Sequence, residues 1–247
     1  MAGSARIPVK LLAFDTSTET LSIAVSGGVG PVLEHSGGGG AQASATLIPA
    51  IEALLQQAGL ALRELDAIAF GRGPGSFTGL RTAAAVAQGL GFGAGVAVLP
   101  VDTLLAVAEE AHGLCGAGRI VALLDARMDE VYFAAYERNG DRWHTVQAPA
   151  LGRPEDVAVP PGWTIAGNAH ALHPQRLPAD APRVAAWPTA RALLRLAPVL
   201  LGESLAHAAA DALPLYIRDK VAQTTEERAA DRARKESLRK AAVQESR

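Results

Sequence analysis

The sequence predicts an α/β protein of two lobes. Three observations carry this. An apolar run ends in an aspartate, passes through a polar turn and is followed by a second apolar run, and this happens twice, at residues 9–25 and 120–136. Stretches of helical periodicity alternate with the later strands. Between one such strand and helix lies a loop of unusual glycine density, Gly71-Arg-Gly-Pro-Gly-Ser-Phe-Thr-Gly79.

In order, Val9 to Phe14 reads as a buried strand ending in Asp15-Thr16-Ser17-Thr18. Leu21 to Val25 and Pro31 to His35 follow as second and third strands, and the short connections predict an antiparallel meander. Gly37 to Gly40 reads as a linker. Leu47, Ile51, Leu54, Leu55 and Ala58 have helical spacing within Ala43–Ala58, which Gly59 closes. Leu65 to Phe70 is a strand feeding the glycine loop. Thr78 to Phe92 is a helix of small residues, ended by the glycines at 89, 91, 93 and 95, and Val96 to Leu99 is the next strand. Asp102 is placed to cap a helix from Thr103 to His112. Gly113 to Gly118 breaks the chain and marks a lobe boundary.

The second half repeats the plan. Ile120 to Leu124, Val131 to Tyr136 and Trp143 to Ala148 are strands, with Asp125 to Glu130 as the polar turn. From Ala148 to Pro188 the chain is rich in proline and alanine, with a short strand at Trp163–Ala166. Thr189 to Leu201 is a helix, Pro214 to Lys220 a docking segment, and Thr224 to Arg247 a charged tail. The lobes are therefore expected at 1–112 and 113–222, with the segment 205–222 allowed to return to the first, and the tail at 223–247.

Composition narrows the function. With 247 residues and 49% hydrophobic, the chain can build a sizeable core. A net charge of −2 gives little intrinsic grip on nucleic acid. One cysteine excludes an internal disulfide and a zinc cluster of cysteines. The apolar run from Leu11 to Phe14 is too short for a signal peptide or a membrane span, so a cytoplasmic setting is expected.

The glycine loop can receive an anion or fix a rigid surface. Its glycines and Pro74 allow backbone conformations closed to other residues, Ser76 or Thr78 can cap the helix that follows, and Arg72 and Arg81 add charge. It fits neither the dinucleotide fingerprint nor the phosphate loop, since Ser76 stands where the first needs glycine and Leu80 where the second needs lysine. Ser76, flanked two residues away by Pro74 and Thr78, is not in a nucleophile elbow. The Asp15-Thr16-Ser17-Thr18 turn has two readings, local turn chemistry or a phosphate or metal contact. His112 with Cys115, and His170 with His173, lack the further ligands or orienting partner that a metal or catalytic site needs.

Leu12-Ala-Phe-Asp-Thr-Ser-Thr-Glu19, the loop from Gly71 to Arg81 and Ala87-Gln-Gly-Leu90 closely resemble the TsaB (YeaZ) family. Asp125-Ala-Arg-Met-Asp-Glu-Val-Tyr132 and Pro214-Leu-Tyr-Ile-Arg218 resemble its further landmarks. The resemblance implies the two-lobed actin/Hsp70/sugar-kinase-like fold, each lobe RNase H-like. It implies a non-catalytic subunit that activates TsaD, with a TsaE-like ATPase, in threonylcarbamoylation of the adenosine next to the anticodon in tRNAs reading codons that begin with A. Transfer RNA is then met through the complex, and a homodimer is expected when the chain is alone. No catalytic or metal residue is assigned.

In the catalytic relative a pair of histidines on a helix holds a metal, and the matching helix here, Ala43-Ser-Ala-Thr-Leu-Ile-Pro49, has none. The loop residues Gly71, Arg72, Gly73, Pro74, Gly75, Ser76, Phe77, Thr78, Gly79 and Arg81 are the family motif. Leu47, Ile51, Leu54, Ala84, Ala87, Gln88 and Gly91 are the expected partner-binding residues. Asp15, Thr16, Ser17 and Asp125 form a degenerate nucleotide site, because both aspartates lack the glycine-rich phosphate turns of nucleotide-binding members. No cofactor is expected, with ATP or ADP and magnesium admitted only in the assembled complex. The alternatives are an ATP-binding enzyme of the sugar-kinase-like class built on Asp15 and Asp125, and a peptidase, for which no nucleophile–base pair is recognisable.

Overall fold

A single strand shows how the first half is built. In β1 (Lys10–Asp15), Leu12 and Phe14 point to one side and Leu11 and Ala13 to the other, and all four are buried. A strand covered on both faces reads as a continuous apolar run rather than an alternation. The structure is a computed structural model, which describes residues 9–40 and 42–218. The tail expected at 223–247 lies outside the described residues.

β1 is the centre of a five-stranded sheet with β2 (Thr20–Gly27), β3 (Leu33–Gly38), β4 (Ala67–Gly73) and β5 (Ala97–Asp102), in the order β3-β2-β1-β4-β5. The first three strands form the antiparallel meander, while β4 and β5 run parallel to β1. Two helices interrupt the strand sequence. α1 (Ala43–Ala58) buries Ala43, Leu47, Ile51, Leu54 and Leu55, one face at helical spacing, and stops at Gly59 in the left-handed conformation. α2 (Phe77–Ala94) buries Gly79, Leu80, Ala83, Ala84, Ala87 and Gly91 and stops at Gly95. Both helices pack on the Leu12–Phe14 side of the sheet.

The second half repeats this topology. After α3 (Thr103–Cys115) come β6 (Arg119–Arg127), β7 (Glu130–Asn139), β8 (Arg142–Gly152), β9 (Thr164–Gly167), a one-turn α4 (Ala169–Leu172), β10 (Arg183–Val184) and α5 (Ala190–Gly202). The sheet order β10-β9-β6-β7-β8 matches the first sheet strand for strand, with β6 in the place of β1. β6, β7 and β8 are antiparallel, and β9 and β10 are parallel to β6.

α3 and α5 lie between the two sheets. Leu104, Val107, Ala108 and Ala111 of α3 pack into the second sheet with Ile120, Ala122 and Tyr136. Ala190, Leu193, Leu194 and Ala197 of α5 pack on the Leu11–Ala13 face of the first sheet. The sequence places α5 in the second lobe by position, yet it covers the first sheet. Its N-terminus is tied there by a hydrogen bond from the Ala190 N–H to the Ser22 hydroxyl, 2.8 Å.

Several boundaries shift for physical reasons. Gly37 and Gly38, expected in a linker, extend β3 by pairing with Leu21 and Thr20. Of the glycines expected to end α2, only Gly95 does. Gly91 packs inside against Val96, Val98 and Ala209, while Gly89 and Gly93 face open space. The break at Gly113 begins later, because α3 continues to Cys115 and turns at Gly116. Asp102 sits at the N-cap of α3 without a side-chain cap bond, its carboxylate accepting from Arg72 instead.

Candidate functional site

The glycine loop is laid directly on the turn that follows β1. A Cβ at Gly71 would stand 1.7 Å from Asp15 Oδ2, one at Gly75 2.5 Å from the Ser17 carbonyl, and one at Gly79 1.8 Å from the Thr16 carbonyl. Hydrogen bonds lock the same contact. The Ser76 N–H donates to the Ser17 carbonyl at 2.7 Å, and the Thr16 hydroxyl donates to the Gly79 carbonyl at 2.7 Å. Glycine at 75 and 79 is therefore a requirement of backbone lying on backbone, and at 71 of backbone lying on the Asp15 carboxylate. Neither Ser76 nor Thr78 caps α2 through its side chain.

Asp15, Thr16 and Ser17 are all buried. Asp15 Oδ1 accepts from the Ser17 N–H at 2.8 Å and from the Ser17 hydroxyl at 2.6 Å, while Oδ2 has no hydrogen-bond partner. Burial pushes the Asp15 carboxyl up from 3.8 to about 6, against the pull of the two Ser17 bonds. A phosphate at this turn would need open space and N–H donors around the aspartate. The space is filled by the loop's own glycines, and the Ser76 N–H is engaged with Ser17, so the residues present do not fit a nucleotide phosphate. Asp125 is engaged as well. Its carboxylate accepts from the Arg127 N–H at 3.0 Å and pairs with the Arg127 guanidinium at 3.2 Å, and its N–H donates to Asn168. Among the described residues, no three His, Cys, Asp or Glu side chains could share a metal ion.

The two loop arginines have different partners. Arg72 Nε donates to Asp102 Oδ1 at 2.6 Å, which ties the end of β4 to the end of β5. Beside this pair lies Tyr136 of β7, whose buried hydroxyl has no partner. Burial and the Asp102 charge push its phenol up, against the Arg72 charge. Arg81 instead stacks on Phe77, 3.8 Å from Cζ to the ring centroid, and its Nε donates to the Tyr216 hydroxyl at 3.2 Å. Tyr216 arrives on a strap of chain that crosses the loop, with the Leu215 N–H donating to the Arg72 carbonyl at 2.7 Å. Gly73, at φ 125°, leaves room for the Leu215 carbonyl, which a Cβ would approach to 2.5 Å.

The sequence places the docking segment at Pro214–Lys220, within the stretch 205–222 allowed to return to the first lobe, without indicating that it seats on the glycine loop. Sequence reasoning also missed a buried network. Glu109 of α3 accepts from Arg138 of β7, Trp143 of β8 and Arg195 of α5, at 2.7, 2.8 and 2.9 Å. The Glu109–Glu110 pair among the alanines and valines of α3 was the available signal, with Glu109 the buried one.

The expected partner-binding set needs correction. Leu47, Ile51, Leu54, Ala84, Ala87 and Gly91 are buried against the chain's own first sheet, so they cannot also face a partner. An arginine at Ala84 or Ala87 would disturb folding rather than docking. Gln88 alone of the set is exposed, and its side-chain amide donates to the Ala210 carbonyl. What α1 and α2 leave to solvent is the opposite side: Ala85, Gly89 and Phe92 at helical spacing on α2, with Ile48 on α1. Phe92 is 83% exposed.

Comparison with known proteins places this geometry. Residues 16–178 match the family model described as TsaD, tRNA N6-adenosine threonylcarbamoyltransferase. The Escherichia coli tRNA threonylcarbamoyladenosine biosynthesis protein TsaB is 33% identical over 225 residues, which cover 87% of this chain and 96% of that protein. The chain belongs to the TsaB family. The Haemophilus influenzae TsaB is 47% identical over 132 residues, 52% of this chain and 54% of that protein. Among solved structures, YeaZ from Pseudomonas aeruginosa superimposes with a TM-score of 0.79 at 39% identity, covering 84% of this chain and 99% of that one. The duplicated sheets, helices on both faces, are thus the actin/Hsp70/sugar-kinase-like plan of the TsaB and TsaD proteins. Among the described residues, no helix is long and apolar enough to cross a membrane.

Proposed function

We propose that this chain is a non-catalytic, activating subunit in tRNA threonylcarbamoyladenosine biosynthesis, working on a TsaD-type subunit that performs the transfer. The relatives named TsaB supply the pathway. The single observation that carries the non-catalytic role is the contact of Gly71, Gly75 and Gly79 with Asp15, Ser17 and Thr16, which fills with backbone the place where a nucleotide-using relative would hold phosphate. The outer side of α1 and α2 supports the docking role. Exposed Gly89 and Gly93 let a second helix approach closely, and exposed Phe92 gives it apolar area. A TsaE-like ATPase joins this assembly, tRNA is met through the complex, ATP or ADP with magnesium binds only there, and the free chain pairs with a second copy of itself.

The test is reconstitution of threonylcarbamoyl transfer to tRNA with purified components. The chain alone should transfer nothing, and the TsaD-type subunit should depend on it. Transfer by the chain alone, or full activity of the TsaD-type subunit without it, would overturn the proposal. Calorimetry of the isolated chain with ATP and magnesium separates off the kinase-like alternative, which requires tight binding there.

A further inference from the structure

Arg81 is an exposed cation held still. Its guanidinium carbon lies 3.8 Å over the Phe77 ring centroid, its Nε is fixed by the Tyr216 hydroxyl, and the two rings pack tilted at 36° with centroids 5.1 Å apart. Tyr216 is itself anchored, through the Leu215–Arg72 backbone bond next to it. Arg119 on Glu137 and Arg142 on Glu203 sit in surface ion pairs, whereas no described carboxylate lies within ion-pair distance of Arg81. Its position matters equally. Arg81, Ala85, Gly89 and Phe92 follow one another down the exposed side of α2.

We propose that Arg81, clamped by Phe77 and Tyr216, is the polar anchor of the docking face and takes a carboxylate from a helix of the TsaD-type subunit. This rests on the docking role proposed above. Holding a long side chain in place before contact removes most of the entropy cost of an arginine–carboxylate bond, and the planar fork left at the outer end suits bidentate pairing. An RNA occupant fits poorly. α1 and α2 together carry one basic residue, Arg81, and one acidic residue, Glu52, while Phe92 and Ile48 stand exposed. Phosphate binding draws on several cations, whereas a protein helix needs apolar area with one well-placed polar contact. A TsaD-type partner matches the same family model as this chain, so it shares the strand-and-helix plan and can meet these helices with its own.

The experiment is a titration of the full chain with the TsaD-type subunit at two ionic strengths, with melting curves for every variant. Arg81→Gln should weaken binding about tenfold and flatten its salt dependence, with Arg81→Lys recovering only part. Tyr216→Phe, which frees Nε, should weaken binding a few-fold. Gly89→Glu is the control for the face itself. If Gly89→Glu abolishes binding and Arg81→Gln binds as wild type with the same salt response, the anchor is wrong and the docking face stands. If Gly89→Glu also binds normally, the docking face is wrong. If Arg81→Gln leaves subunit binding intact and lowers only tRNA retention by the complex, the carboxylate assignment is overturned in favour of RNA. Should Arg81→Gln not fold, Arg81→Lys with unchanged affinity and salt response would overturn it equally.

Discussion

Thr16 and Gly79 hold each other in both directions. The Thr16 hydroxyl donates to the Gly79 carbonyl at 2.7 Å, and the Thr16 carbonyl occupies the place of a Gly79 side chain. The first turn of α2 is thereby welded to the end of β1. A single methyl group at residue 79 would have to displace main chain on both sides.

That gives a pair of opposite predictions within one helix. Gly79→Ala should destabilise the fold by about 3 kcal/mol or more, since the contact at 1.8 Å is with backbone and cannot relax by a rotamer change. Gly89→Ala meets nothing within 4 Å and removes a flexible residue from a helix interior, so it should stabilise by about 0.5–1 kcal/mol. Chemical denaturation of the two variants checks the signs. Equal effects would mean that the loop is not packed as described.

Asp15 predicts a pH dependence. Its folded-state pKa, about 6, lies above the ordinary 3.8, so the folded state binds the proton more tightly than the unfolded chain does. The stability this group contributes is complete below about pH 4 and is lost as pH rises through 6. The full swing is on the order of 3 kcal/mol. Asp15→Asn removes the titration, so its stability relative to wild type should climb between pH 4 and pH 7. Urea melts across that range measure it, and a pH-independent difference would contradict the buried, half-bonded carboxylate.

Glu109 binds three donors from three different elements. Glu109→Ala should cost about 3 kcal/mol, the low end for breaking a buried ion pair, because Arg138 and Arg195 can still reach solvent. Hydrogen exchange should quicken together in β7, β8 and α5, with α1 unaffected. Uniform quickening throughout the chain would indicate that Glu109 is not a local tie between the sheets.

The Tyr136 hydroxyl is buried without a partner, so an unmet polar group weighs against folding there. Tyr136→Phe should be neutral or stabilising by up to about 1 kcal/mol in a thermal melt. A loss beyond 1 kcal/mol would mean that the hydroxyl is engaged.

The strands were legible wherever burial on both faces left an unbroken apolar run, as in β1 and β6, and α1 was legible to its last residue because Leu47, Ile51, Leu54 and Leu55 mark one face and Gly59 the stop. The same periodicity misled the choice of docking residues. An apolar stripe says that a face is buried, and here the chain's own sheet buries it, which leaves the proposed docking to the exposed residues opposite, Ala85, Gly89 and Phe92. The loop glycines stood out by density, but their partners Asp15, Thr16 and Ser17 lie some sixty residues away, a pairing that local pattern does not encode. A return of 205–222 to the first lobe was allowed for, but its seat on the glycine loop through Leu215 and Tyr216, and the crossing of α5 to the first sheet, were hidden for the same reason.

The exchange of α3 and α5 across the middle layer has a practical consequence. Were the polypeptide cut in the short connection between Cys115 and Arg119, neither fragment would be self-sufficient. The first would lack the helix that shields the Leu11–Ala13 surface, and the second would lack the one seated beneath Ile120 and Tyr136. Each piece would have to find the other before reaching its native state, which makes this junction a natural site for a split reporter that reports reassembly.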